Sequence, residues 1–332
     1  CGPEVYDKRK KIDAEHRFEL HEGIEVHRAE GVGLDKNTTF GKALSFLLMS
    51  KRMMSLVREY VRKGDKVLMV TNPAPMVPLM AWLKRRIGFE LNILVHDVFP
   101  ENTCPAGLKL PLYGMFKRFF DKAYSKADQL IALGRDMKDV LTRKVARYNQ
   151  NTKIVVIENW ADIINIRPKP FPEGKIVLEY AGNIGRVQGL EKVIDDLPEG
   201  IEFHLYGTGA MEERLKEKRH DNVFFHGPYF RSQQNEVLAA CDMAVVTLHE
   251  GMYGLGVPSK TYNILASGRP ILFFGPEGSE IDLLVRENNI GYCGWPDEWN
   301  RGRLEEMGRR ARVLAETKYS EKTILDKFLK II

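Results

Sequence analysis

Lys260 stands where a cation could meet a phosphate. It follows a glycine-rich turn, Pro258 and Ser259 in GLGVPSKTYNILASGRP (residues 254–270), and opens an apolar helical stripe that stops at Gly268-Arg269-Pro270. Glycine lets backbone N–H groups approach an anion closely, and a helix start carries positive partial charge. Lysine adds a mobile point charge suited to phosphate. An ordinary capped helix also uses Ser and Pro at its start, so this stretch alone leaves both readings open. Five other polar or glycine-rich segments bear on the choice: His96-Asp97, Gly182-Asn183-Ile184-Gly185-Arg186, Gly207-Thr208-Gly209, His226-Gly227 and His249-Glu250.

Each of the five closes a short apolar run, and such runs read as buried parallel strands. In the first half the strand runs are 66–73, 91–100, 129–133 and 153–158, with helices at 41–63, 75–87, 108–127 and from about Asp136. In the second half they are 175–182, 201–207, 222–227, 243–248 and 270–275, with helices at 189–196, 210–219, 231–240, after Ser259 and from about 302. A hairpin is expected around His21-Glu22-Gly23. Repeated strand–helix units force parallel strands with right-handed crossovers. The fold class is therefore α/β, with two Rossmann-like domains. Residues 1–166 form the first, 167–301 the second, and 302–332 are C-terminal helices that return toward the first. Ligands of open α/β sheets sit beyond the carboxyl ends of the strands, so the polar loops define a cleft between the domains.

A lone histidine beside an apolar strand is more often structural, but His96 lies at a strand end and is followed by Asp97, Pro100 and Glu101. Arg186 and Lys260 would by default be solvated charges; their glycine-rich loops favour diphosphate contacts. Glu250 reads equally as a plain loop carboxylate. GNIGRVQG (182–189) has the wrong spacing for a dinucleotide fingerprint, and no GxxxxGK[ST] motif is present, which argues against nicotinamide and P-loop chemistry.

The 332 residues are 44% hydrophobic and 29% charged, enough for two cores of roughly 150 residues each. The four cysteines, Cys1, Cys104, Cys241 and Cys293, are scattered and form no CxxC pair. That spacing supports no zinc site or disulfide framework and makes a reducing cytoplasm the default. No apolar run is long enough to cross a membrane, and no signal peptide is visible. Net charge is +5, and it is uneven: residues 1–165 carry +8 and the remainder −3. A basic first half suggests an anionic partner. FKRFFDKAYSK (116–126) interleaves aromatic and basic residues as interfacial helices do, although a solvated helix with a buried aromatic stripe fits the same pattern. No nucleic-acid-binding motif appears.

The ordered set VHDVFPE (95–101), KADQLIALGRDM (126–137), IENWAD (157–162), YAGNIGRVQGLEKVI (180–194), LYGTGAMEERL (205–215), NVFFHG (222–227), ACDMAVVTL (240–248) and GVPSKTYNILASGRPI (256–271) resembles family 4 retaining glycosyltransferases of the GT-B fold. The resemblance covers roughly residues 91–275 and is nearest to the branch that assembles capsule, exopolysaccharide or O-antigen. It implies a nucleotide-sugar donor, a UDP-sugar by preference, held mainly by the second domain. A glycan or polyprenyl-diphosphate-linked acceptor would lie on the first. It also implies retention of anomeric configuration, no metal and no cofactor beyond the donor substrate. The location implied is cytoplasmic, peripheral at the inner face of the cell membrane. His96, Asp97, Lys260 and Glu250 would be the catalytic residues, with His96 near the donor sugar. Arg186, Lys260, Glu250 and the Tyr253, Gly254, Val257, Pro258 and Ser259 segment would hold the diphosphate and sugar. Gly182, Asn183, Gly185, Gln188 and Gly189 would line the same loop, and Gly207, Gly209 and His226 would meet the base.

The chain departs from the family at several places. The usual pair of glutamates eight positions apart is replaced by Leu255 and Asn263, with Glu250 a substitute for the first in a longer loop. The Arg and Lys of the usual phosphate loop appear as Asn183 and Gln188, which shifts their work to Arg186 and Lys260. The family's opening strand and glycine loop are not visible after Cys1, so the natural chain is expected to start upstream. The departures keep two other readings open: a GT-B-like sugar-nucleotide-binding or regulatory protein with weakened catalysis, and a nucleotide-sugar epimerase.

Overall fold

A computed structural model describes residues 18–29, 39–108, 110–218 and 220–331. Cys1 and the rest of the first 17 residues lie outside the described residues. Strands β1 (Phe18–His21) and β2 (Ile24–His27) form an antiparallel hairpin. Glu22 and Gly23 turn it with φ of 49° and 82°, the left-handed pair that matches the twist of a two-residue hairpin. Helix α1 (Thr39–Tyr60) follows.

The next elements alternate as their sequence periods require. They are β3 (Lys66–Val70), α2 (Met76–Ile87), β4 (Glu90–Val95), α3 (Tyr113–Tyr124), β5 (Gln129–Ala132), α4 (Arg135–Ala146) and β6 (Lys153–Val156). The strands make a parallel sheet in the order β3-β4-β5-β6. Leu91, Asn92, Ile93 and Val95 of β4 are all buried, as the apolar run predicts for a central strand covered on both faces. Helix α2 ends on Gly88, whose φ of 84° lets its N–H return to the Lys84 carbonyl. Helix α3 is shorter than the expected 108–127. Residues 101–107 turn instead, with Pro105 and Gly107 in the turn, and Pro111 stands just before the helix.

The second sheet comprises β7 (Val177–Ala181), β8 (Glu202–Tyr206), β9 (Val223–Gly227), β10 (Met243–Thr247), β11 (Ile271–Phe274) and β12 (Gly291–Cys293). Its helices are α5 (Leu190–Asp195), α6 (Glu212–Lys216), α7 (Gln234–Ala239), α8 (Lys260–Ser267) and α9 (Glu280–Asn288). The strand order β12-β11-β10-β7-β8-β9 reverses direction between β7 and β10. That junction is the topological switch point of a doubly wound sheet, where ligands bind. Helix α9 and strand β12 are additions to the sequence expectation, and β12 has three residues and no apolar run to announce it.

Two apolar clusters hold the molecule together. One lies on a single face of the second sheet and includes Tyr180, Ile184, Phe203, Leu205 and Val245. The other is continuous from the first sheet, through Leu91 and Ile93, to Leu255, Tyr262 and Phe273 of the second domain. Each fully buried Leu, Ile or Phe contributes about 1.5–3 kcal/mol, and residues of both sheets belong to this one core. Helices α10 (Arg301–Thr317) and α11 (Glu321–Leu329) close the chain. Arg312 of α10 donates to the carbonyls of Ile166 and Ala266 at 2.9 and 2.6 Å. Lys327 of α11 pairs with Glu158 at 2.6 Å, tying the tail to the segment between the sheets.

Candidate functional site

The loops after β7 and β8 are zipped together by their backbones. Gly182 N–H donates to Tyr206 O, Ile184 N–H to Thr208 O and Gly207 N–H to Gly227 O, all at 2.7–2.9 Å. A Cβ on Gly207 would fall 1.9 Å from Gly182 O, and one on Gly209 would fall 2.1 Å from Ile184 O. These two glycines are therefore demanded by loop-on-loop packing, where the sequence suggested room for a base. Gly185 is less tightly confined: a Cβ there would lie 2.6 Å from Asn183 Nδ2 and Gln188 Oε1, both ends of side chains that can turn away. Arg186 heads a 3₁₀ turn, Arg186–Gln188, that ends on Gly189 with φ of 63°. Its side chain is exposed and has no partner among the described residues.

The loop after β10 meets this edge directly. His249 N–H donates to Val187 O at 2.9 Å, and His249 Nδ1 accepts from Gly251 N–H at 3.1 Å. Glu250 is exposed, and no contact draws it toward Lys260. Tyr253, Val257 and Pro258 are half-buried, and Ser259 is exposed and makes no side-chain cap to α8.

Lys260 begins α8 and turns under the Gly182 loop: its Cδ and Nζ both lie 3.8 Å from the place of a Gly182 Cβ. Nζ sits 3.2 Å from the centroid of the Tyr180 ring, and the Tyr180 hydroxyl donates to Asn183 O at 2.8 Å. The Lys260 Nζ is buried with no hydrogen-bond partner. Burial pulls its pKa down to about 7, with the Glu179 charge as the opposing influence. Glu179, on the neighbouring position of β7, is buried and pushed up to about 8 for the same reason, with Lys260 pulling the other way. Sequence reasoning missed Glu179. The signal was there, a carboxylate inside the apolar run KIVLEYAG (175–182), and buried carboxylates are rare without a role.

The first domain contributes His96 and Asp97 at the end of β4. Their backbone N–H groups donate to Thr71 Oγ1 at 3.1 and 3.3 Å. Asp97 faces Gly256 in an antiparallel bridge, and Val98 N–H donates to Leu255 O at 2.9 Å. Loss of water around the carboxylate raises the Asp97 pKa, while the His96 charge opposes the shift. Asp136 at the start of α4, also missed from sequence, is buried and accepts from Gly254 N–H at 3.2 Å. The loop that leads to Lys260 is thus held from the opposite domain at three successive residues.

Two of the expected residues stand apart. His226 lies on the outer strand β9, where it stacks on Tyr206 at 4.4 Å and bonds His204 Nδ1 through Nε2 at 2.9 Å. Burial and the His204 charge lower its pKa. Asn263 lies one turn beyond Lys260, and its Oδ1 accepts from Asp162 N–H at 3.1 Å, so its carbonyl is committed to the segment between the sheets. Among the described residues no group of three or more His, Cys, Asp or Glu could hold a metal ion.

No protein-family model matches the chain. The backbone is similar to that of HepE from Anabaena, solved with UDP, at a TM-score of 0.63 and 15% identity over 87% of this chain and 83% of that one. By sequence it is 34% identical over 325 residues to a Pseudomonas aeruginosa protein described as "Probable glycosyltransferase WbjE", spanning 89% of this chain and 80% of the relative. The chain belongs to the GT-B glycosyltransferases. A second relative, from Escherichia coli (strain K12), is described as "Putative colanic acid biosynthesis glycosyl transferase WcaI". It is 27% identical, spanning 71% of the chain and 63% of the relative. In this glycosyltransferase the switch point, the zipped glycine loops and the Lys260 amine occupy one edge of the second sheet, opposite His96 and Asp97.

Proposed function

We propose that this glycosyltransferase moves a sugar, with retention and without a metal ion, from a nucleoside diphosphate sugar to a glycan or lipid-linked acceptor in surface-polysaccharide assembly. The observation that carries the reading is Lys260 Nζ, a buried amine with no hydrogen-bond partner at the switch point. An amine in that position lacks an anion to complete it, and the start of α8 adds the positive end of a helix. UDP is the favoured diphosphate because HepE, which shares the fold, holds it. The description of WcaI as a colanic acid enzyme supports the polysaccharide setting, and the resemblance to family 4 supports retention.

In transfer, negative charge develops on the departing diphosphate. Lys260, exposed Arg186 and the positive end of α8 are the groups positioned to meet it. Such preorganised contacts are commonly the largest contribution to catalysis, about 2.7–4 kcal/mol each. Donor turnover of a UDP-, GDP- and TDP-sugar panel tests this. Lys260→Ala is expected to stay folded and to lose roughly 10²–10³ in kcat. A rate like that of the wild type would remove Lys260 from the mechanism. An anionic membrane surface as acceptor platform rests on α3. Leu112, Met115, Phe116 and Phe119 are exposed there, with Arg118 and Lys122 in the same helix.

A further inference from the structure

Glu179 has no assigned part in transfer, yet it is the buried carboxyl whose charge reaches the Lys260 amine. It sits on β7 opposite Ala244 of β10, at the switch point itself. The residue is 1% exposed. Its Oε1 makes no hydrogen bond, and Oε2 has only a long contact from Cys241 Sγ at 3.8 Å. Lys260 Nζ is equally bare, with the Tyr180 ring as its neighbour. Two buried ions left so poorly bonded would be costly, whereas a neutral acid and a neutral amine are tolerated.

The remaining charged and titratable groups around the pair do not alter this. Arg269 reaches Glu179 electrostatically and pulls its carboxyl down without overcoming burial; its Nη2 is committed to Pro170 O and Ala239 O, while its Nε and Nη1 are buried without a partner among the described residues. Asp242 is paired with Arg301 at 2.8 Å. The Cys241 thiol and the Tyr180, Tyr206 and Tyr229 hydroxyls are all pushed up by burial and by the Glu179 charge, so they stay protonated.

We propose that Glu179 is a positioning residue that acts through Lys260 as its proton store. Without donor, the proton resides on the Glu179 carboxyl and the Lys260 amine is neutral. When a diphosphate enters, its charge favours the ammonium, and one proton passes in net from the Glu179 carboxyl to Lys260 Nζ. The carboxyl becomes a carboxylate, the amine an ammonium, and solvent supplies nothing. The protein can thus keep an apolar empty site and still present a full positive charge to the leaving group. The idea rests on the reading of Lys260 as the diphosphate contact.

Calorimetric titration with UDP tests it, in buffers of different ionisation enthalpy between about pH 7 and about pH 7.5, below the value near 8 at which the Glu179 carboxyl itself ionises. UDP's own terminal phosphate is already ionised there, with a pKa of about 6. The wild type is expected to bind with no net proton uptake and an affinity that is flat across this range. Glu179→Gln must draw the proton from solvent. It is expected to take up about one proton and to lose about tenfold in affinity per pH unit. Glu179→Asp keeps a titratable carboxyl and should restore the flat profile. Proton uptake by the wild type, or an unchanged profile in Glu179→Gln, overturns the proposal while leaving Lys260 in place. The wild-type proton count decides alone if the glutamine variant does not fold. Undiminished UDP affinity in Lys260→Ala overturns the diphosphate reading itself, and the proton store with it.

Discussion

At Gly207 a methyl group would meet Gly182 O at 1.9 Å, and its φ of 132° is one that side chains rarely adopt. Gly207→Ala is therefore expected to cost about 1–3 kcal/mol from overpacking and to lower the thermal midpoint, read by calorimetry. Glu179 carries a second prediction, about stability. Its folded pKa of about 8 exceeds the ordinary 4.5, so between those values the native state holds a proton the unfolded chain has released. Its contribution is present below about pH 4.5 and fades as pH rises through 8. Lys260 runs the other way: lowered from 10.5 to about 7, it makes stability recover between those two values. Glu179→Gln should melt progressively higher than the wild type from about pH 5 to about pH 8, by at least ~2 °C at the upper end. Residue identity made Lys260 legible in the sequence, because its glycine-rich approach is local. Gly207 and Gly209 were legible as glycines but not in purpose, since each answers to a carbonyl more than twenty positions away.

Helix α4 is held as a strut at both of its ends. Its Lys144, with a side chain 1% exposed, bonds Glu101 at 2.7 Å and Asp121 of α3 at 2.6 Å. Lys117 joins the same two carboxylates at 3.0 and 2.7 Å. Removing one partner of a buried ionic group leaves charge uncompensated, at about 3–5 kcal/mol. Lys117 remains to offset part of it, so Lys144→Met should cost about 3 kcal/mol in urea unfolding, and an unchanged midpoint would refute a structural role. At the other end of α4, Arg135 bonds the buried Glu280 at 3.0 Å and Glu287 at 2.8 Å. Most strands and helices were legible from period and length, because their apolar patterns are local. The pairs across the domains were not: Arg135 with Glu280, Asp136 with Gly254 and Asn263 with Asp162 are each more than 100 positions apart. A single sequence carries no signal for them.

The whole molecule is asymmetric in charge and in surface. No described helix is long and apolar enough to cross a membrane, yet Leu112 is 70% and Phe119 56% exposed on the basic first domain. Exposed aromatic and basic groups on one helix bind anionic surfaces through both area and charge. Flotation with vesicles rich in anionic lipid should therefore recover the wild type at low salt. Phe116→Ser combined with Phe119→Ser should abolish it with turnover of a water-soluble acceptor kept, and absence of binding by the wild type would reject the surface. The Asp97–Gly256 bridge, with its Val98 N–H to Leu255 O bond, and the Gly254 N–H bond to Asp136 have a kinetic meaning of their own. The loop that leads to Lys260 is clamped by the first domain. On the proposed donor site, release of the spent nucleotide is then expected to wait until the first domain lets go of residues 254–256.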